Sequence, residues 1–164
     1  PILAKTRQAL DFLQREFKFR RVEKQYLALV SGQMPQKSGE IDLPIGRHPV
    51  KRWLMAVNPV EGKRAVTCWT VLQQYADACL VKVLLKTGRT HQIRVHFYAI
   101  DHPLVGDPVY QPRRNRKQMT GSHRQMLHSW KLSFRHPYSG QRVSFTCDPP
   151  ADFRKMSEQL AQKS

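Results

Sequence analysis

Acidic residues are scarce in this sequence. Twelve Asp and Glu stand against 28 Lys and Arg in 164 residues, for a formal net charge of +16. Such a field attracts polyanions, chiefly nucleic acid or an anionic membrane. No long basic amphipathic helix stands out, so nucleic acid is the expected partner and a membrane is not. Cysteine is also sparse. Cys68, Cys79 and Cys147 are odd in number and form no C-x-x-C spacing, which argues against a disulfide framework and a zinc site and fits a reducing cytosol. No apolar run approaches the roughly 18 residues of a membrane span. No basic stretch followed by an apolar core opens the chain, so no signal peptide is expected, and Pro1 in place of methionine suits an internal start. A Walker loop, a G-x-G-x-x-G turn and an H-E-x-x-H helix are all missing, so no nucleotide hydrolysis, dinucleotide cofactor or metal is expected.

What is present is enough for one folded unit over 1–164: 40% of the residues are apolar and 24% charged. Thr6 is placed to cap a first helix carrying Leu10, Leu13 and Phe17. The run Lys24–Val30 reads as a strand with Tyr26, Ala28 and Val30 on one face and Leu27 and Leu29 on the other. Between Gly32 and Pro49 the pattern predicts loops around one short strand at Ile41–Leu43. A further strand is expected at Trp53–Val57, then a turn through Asn58, Pro59, Gly62 and Lys63. Ala65–Tyr75 and Ala78–Leu85 read as an antiparallel pair. Thr90 is the expected cap of a second helix with Ile93, Phe97 and Ile100 on one stripe. After a loop over 104–125, strict alternation from Met126 to Arg135 predicts a strand. A turn at Pro137–Gly140 leads to its partner, and a last helix carries Phe153, Met156 and Leu160. The class is α+β: a mostly antiparallel mixed sheet with flanking helices. Trp53, Trp69 and Trp130 are expected in the core, and His128 is expected as a satisfied core histidine.

The chemistry concentrates in Thr87-Gly88-Arg89-Thr90-His91-Gln92-Ile93-Arg94-Val95-His96, where a glycine turn joins a strand to a helix N-terminus and backbone N–H groups can face an anion. Arg94, one turn into the helix, opposes the macrodipole and calls for an anionic partner, carboxylate or phosphate. His91 and His96 are five apart and do not share a helix face. Tyr26 reads either as a core residue with its hydroxyl at the rim or as a platform for an unpaired base. Arg113, Arg114, Arg116 and Lys117 form a basic cluster in the longest loop, either solvated or phosphate-binding.

Together these residues resemble the RluA family of RNA pseudouridine synthases. The likeness runs from Lys24–Val30 through Gly39–Ile45 and Gly62–Thr67 to the Thr87–His96 segment, then His102–Asp107 with Tyr110, Leu127-His128 and His136-Pro137. It implies the catalytic-domain fold of that family and cofactor-free isomerisation of uridine in ribosomal or transfer RNA, in the cytoplasm. An aspartate attacks the flipped nucleotide, the base detaches and is rejoined through carbon 5. By the resemblance, Tyr26 stacks on the target base and is a candidate for removing the proton, Arg94 pairs with the catalytic aspartate, and Ile93 lines the base pocket. Lys24, Arg89, His91 and Gln92, with the 113–117 cluster, are the further candidate RNA contacts.

The family's aspartate lies in a His-Arg-Leu-Asp motif upstream of a segment like Pro1–Thr6. None of the aspartates here matches it, and Asp107 is expected to organise the turn before Pro108. The expectation is therefore the C-terminal part of a pseudouridine synthase, incomplete at its N-terminus and without its nucleophile, with unpaired sheet edges that favour self-association. The alternative is a non-catalytic RNA-binding or RNA-chaperone protein on the same scaffold.

Overall fold

The computed structural model describes residues 2–112 and 124–162. Helix α1 (Arg7–Lys18) begins where Thr6 Oγ1 accepts the Ala9 N–H at 3.2 Å, as the cap reading predicts. Six of the eight strands follow before the second helix, and the last two come after it. The main sheet uses β1 (Glu23–Ser31), β2 (Ser38–Asp42), β5 (Val66–Gln74), β6 (Ala78–Leu85), β7 (Leu127–Arg135) and β8 (Arg142–Thr146), in the order β2-β5-β6-β1-β7-β8. A separate hairpin pairs β3 (Ile45–Arg47) with β4 (Met55–Val57). Helix α2 (Gln92–Ala99) and helix α3 (Ala151–Ala161) complete the order. Every pairing in the main sheet is antiparallel, so "mixed" does not apply to it.

Alternation along β1 sorts the core. Ala28 and Val30 pack with Val81, Val83, Ile93 and Phe97, with Tyr26 against them, which seats α2 on one face. Leu27 and Leu29 pack with Tyr75, Met126 and Phe153, which seats α3 on the other. Burying a ring such as Phe97, fully enclosed here, is worth about 3–5 kcal/mol against alanine. Leu13 of α1 packs with Val22 and Phe134 at the β7–β8 end.

Several elements depart from the sequence pattern. The segment 38–47 holds two strands in two sheets rather than one at Ile41–Leu43, because Pro44 interrupts the ladder between β2 and β3. Alternation in β7 is broken by a bulge. Gln25 pairs with Lys131 and Tyr26 with Ser129, so Trp130 is the extra residue and sits half-buried. His128 is also half-buried, and its Nε2 meets the Cys147 carbonyl at 2.8 Å, so it is satisfied but not in the core. Trp69 is buried as expected, whereas Trp53 is 74% exposed because its strand begins only at Met55. The cluster Arg113, Arg114, Arg116 and Lys117 lies outside the described residues. Among those described, no helix is long and apolar enough to cross a membrane.

Gly39 faces Trp69 across the β2–β5 pair, and a Cβ there would stand 2.6 Å from the indole ring. Gly39→Ala is expected to displace Trp69 and cost about 1–3 kcal/mol. Urea denaturation should show a lower midpoint at unchanged slope.

Candidate active site

The Thr87–His96 segment divides by direction. Its inward half is a closed polar network. Thr87 Oγ1 accepts the Val66 N–H at 2.8 Å and donates to Gln92 Oε1 at 2.8 Å. The same Oε1 accepts the Arg89 N–H at 3.0 Å. Gln92 Nε2 donates to the Val66 carbonyl at 3.0 Å and to Thr67 Oγ1 at 2.9 Å. Thr67 Oγ1 meets His96 Nδ1 at 2.9 Å, and His96 Nε2 meets the Leu43 carbonyl at 2.9 Å. Burial lowers the His96 pKa, against smaller opposing effects of the Leu43 carbonyl and Asp42.

Two expectations are corrected here. Gln92 is buried with both ends of its amide committed, so it offers RNA no free donor or acceptor. Thr90 is not the helix cap. The capping position falls to His91, which has a left-handed backbone (φ 54°) and no capping side-chain bond. The Gln92 side chain instead reaches back to the Arg89 N–H, as the second half of a capping box does.

The outward half holds Arg89, His91 and Arg94. Arg89 Nε donates to the Arg64 carbonyl at 3.2 Å. His91 is exposed, and its Nδ1 lies 3.0 Å from the Tyr110 hydroxyl. Desolvation, then the Arg94 charge, lower its pKa. Arg94 has the anion that its place near the helix N-terminus demands, and the anion is within the chain. Nε donates to Asp107 Oδ2 and Nη2 to Asp107 Oδ1, both at 2.7 Å. The resemblance assigned Arg94 an upstream aspartate. In the structure Asp107 holds the Nε–Nη2 edge, while Nη1 donates to no described residue. This pairing raises the Arg94 pKa further.

Asp107 also organises its turn, as its sequence context predicts. Oδ1 accepts the Val109 and Tyr110 N–H groups, each at 2.9 Å. Gly106, at φ 72°, supplies the left-handed residue before it. Fully buried and holding four N–H groups, Asp107 is a poor nucleophile. Tyr110 completes the clamp. Its ring lies 4.7 Å from the Arg94 guanidinium carbon, and its hydroxyl accepts the Met55 N–H at 3.1 Å, which ties β4 to the site. The sequence pattern shows the need for an anion but not that Asp107 supplies it or that the Tyr110 ring covers the guanidinium. The D-P-x-Y turn thirteen residues on was the available signal.

Tyr26 and Ile93 belong to one cluster on the α2 face, Tyr26 half-buried and Ile93 buried. Lys24 shares that face of β1 by alternation, and its Nζ lies 3.4 Å from where a Cβ on Gly88 would stand. The strand β1 and the Gly88 turn thus bring Lys24, Tyr26 and Ile93 together. Among the described residues, no cluster of His, Cys, Asp and Glu could hold a metal ion.

Residues 2–99 match the family model described as RNA pseudouridylate synthase. The chain is 42% identical over 153 residues to an uncharacterized RNA pseudouridine synthase of Mycobacterium bovis, across 93% of this chain and 49% of that one. It is 42% identical over 164 residues to the ribosomal large subunit pseudouridine synthase D of Nitrosomonas europaea, across 97% of this chain and 47% of that one. The chain spans about half the length of these curated relatives. Human RNA pseudouridylate synthase domain containing 1 superposes with a TM-score of 0.78 at 32% identity, covering 90% of this chain and 62% of its own.

Asp107→Ala leaves an 11% exposed guanidinium without its counter-charge and is expected to cost about 3–5 kcal/mol. The double variant Arg94→Met/Asp107→Ala should recover part of that loss in a denaturation cycle. The depressed His96 pKa sets a second expectation. Below about pH 6.5 the unfolded chain binds a proton that the folded chain refuses, so stability falls as pH drops toward the folded value. That slope should flatten in His96→Gln.

Proposed function

The chain belongs to the RNA pseudouridylate synthase family, and we propose that it supplies the C-terminal portion of a catalytic domain that isomerises uridine to pseudouridine in ribosomal or transfer RNA in the cytoplasm. The observation that carries this reading is the Arg94 guanidinium, fixed on its Nε–Nη2 edge by Asp107 and on its face by Tyr110, with Nη1 left over among the described residues. An arginine held this way keeps a rigid donor for a second anion, and a nucleophilic aspartate is the anion the reaction requires. Tyr26 offers a half-buried ring beside Ile93 for the extruded base, a step that needs a stacking partner and a shaped pocket. The catalytic pair is Tyr26 and Arg94. Ile93 lines the pocket, and Lys24, Arg89 and His91 grip the strand. Arg113, Arg114, Arg116 and Lys117 add charge for phosphate. No cofactor or metal enters this reaction.

In the reaction, the aspartate attacks the target nucleotide and the glycosidic bond breaks. The base reorients against Tyr26 and rejoins through carbon 5, and the hydrogen on that carbon leaves as a proton, for which the Tyr26 hydroxyl is the candidate acceptor. The buried state of Asp107 favours a narrower role for these 164 residues alone, namely salt-dependent RNA binding without isomerisation.

The test joins this chain to an upstream His-Arg-Leu-Asp segment and supplies cellular RNA tritiated at uridine carbon 5. Tritium release is the expected result, and Arg94→Ala and Tyr26→Phe should each reduce it by at least about a hundredfold. If the joined protein leaves every uridine unchanged, the isomerase reading fails.

A further inference from the structure

Helix α1 ends in a reversal whose chemistry the reading above leaves unused. The Arg21 N–H bonds to the Glu16 carbonyl at 2.9 Å and the Arg20 N–H to the Phe17 carbonyl at 3.1 Å, the paired bonds of a Schellman turn. That turn needs a left-handed residue, and glycine is its ordinary occupant. Here it is Arg20, at φ 58°. A side chain in that conformation is strained, and strain of this kind concentrates where it serves a function.

The turn displays two aromatic rings. Phe17 is 45% exposed and Phe19 is 59% exposed. The Arg21 guanidinium stands 5.3 Å from the Phe19 centroid and the Lys24 ammonium 5.9 Å from that of Phe17. Two carboxylates lie nearby: buried Glu16 pairs with Arg21 through Oε1 while its Oε2 meets no described partner, and Glu23 pairs with Arg142. No described carboxylate meets Lys24, which is half-buried; that burial and the Arg20 charge lower its pKa. Lys24 also sits two residues from Tyr26 on the same face of β1. A basic track lined with aromatic rings thus runs from the candidate uridine pocket to the end of α1.

We propose that the α1–β1 turn binds the single-stranded RNA that flanks the target uridine, with bases stacking on Phe19 and Phe17 and phosphates met by Arg20, Arg21 and Lys24. The proposal rests on the RNA reading of this chain. Exposed rings alone would equally suit an apolar protein partner. Arg20 and Lys24, which no described carboxylate pairs, select a polyanion, and a nucleic acid strand is the polyanion that also carries stacking faces. The arginine in place of glycine then has a reason: it gives up backbone stability for a phosphate contact.

The test uses the 164-residue chain with a short oligouridylate, the matching abasic oligomer and phosphatidylserine vesicles as probes. In the Phe19→Trp variant, oligouridylate should quench the added tryptophan and the abasic oligomer should not. Phe19→Ala should weaken oligouridylate binding about tenfold while leaving its salt dependence unchanged. Arg20→Gly should raise the melting temperature, weaken binding and reduce the salt slope by about one. Equal quenching by the abasic oligomer, or wild-type affinity in Phe19→Ala, overturns the platform while RNA binding itself stands. Binding to the vesicles without binding to oligouridylate makes the turn a lipid contact and overturns the proposal. A wild-type chain that binds neither oligomer overturns the RNA reading itself.

Discussion

The side-chain amide of Gln92 is the constraint on which the site depends. It lies between the start of β5, the Thr87 turn and the Arg89 N–H, and each of its four hydrogen-bonding directions is filled. An unfilled direction in that interior would carry a desolvation penalty of about 1–3 kcal/mol. Only one placement of the helix start therefore satisfies it. With Gln92 fixed, His96 lies one helical turn further on, over Thr67 and the Leu43 carbonyl. The same placement turns Arg94 away from the sheet toward the Asp107 turn. It also leaves His91 at the junction, where the backbone takes up the left-handed conformation.

Much of this was legible in the sequence. The bounds of β6, the two faces of β1, the Thr6 cap and the amphipathic stripe of α2 follow from local periodicity, which needs only neighbours in sequence. The losses share a cause: each depends on a partner far along the chain. Gln92 reads as a candidate RNA contact, and only its pairing with Val66 and Thr67, with His96 held by Thr67 and the Leu43 carbonyl, explains the burial of both. The β7 bulge at Trp130 is fixed by its register against β1. Trp53 carries the composition of a core residue, but it falls in the loop of a hairpin that stands apart from the main sheet. For Arg94, the helix macrodipole announced a missing anion, while the identity of that anion required the fold.

Electrostatics gives the positive excess its shape. The carboxylates beside the site are spent on structure, Asp107 on Arg94 and its own turn and Asp42 on Arg64, and further off Asp152 pairs with Arg124 and Glu23 with Arg142. The cations around β1 and the α2 start are left to act outward.

The Tyr110 hydroxyl has a consequence for where a proton rests. It accepts from the Met55 amide, which can only donate, and among the described residues the sole acceptor for its own hydrogen is His91 Nδ1. Burial and the Arg94 charge lower the His91 pKa and so favour the neutral ring, and a neutral ring that accepts at Nδ1 carries its hydrogen on Nε2. A backbone amide in the outlying β3–β4 hairpin thereby favours one tautomer of an imidazole at the start of α2. The hairpin and the imidazole form one directional chain of donors, ending in an N–H that faces solvent.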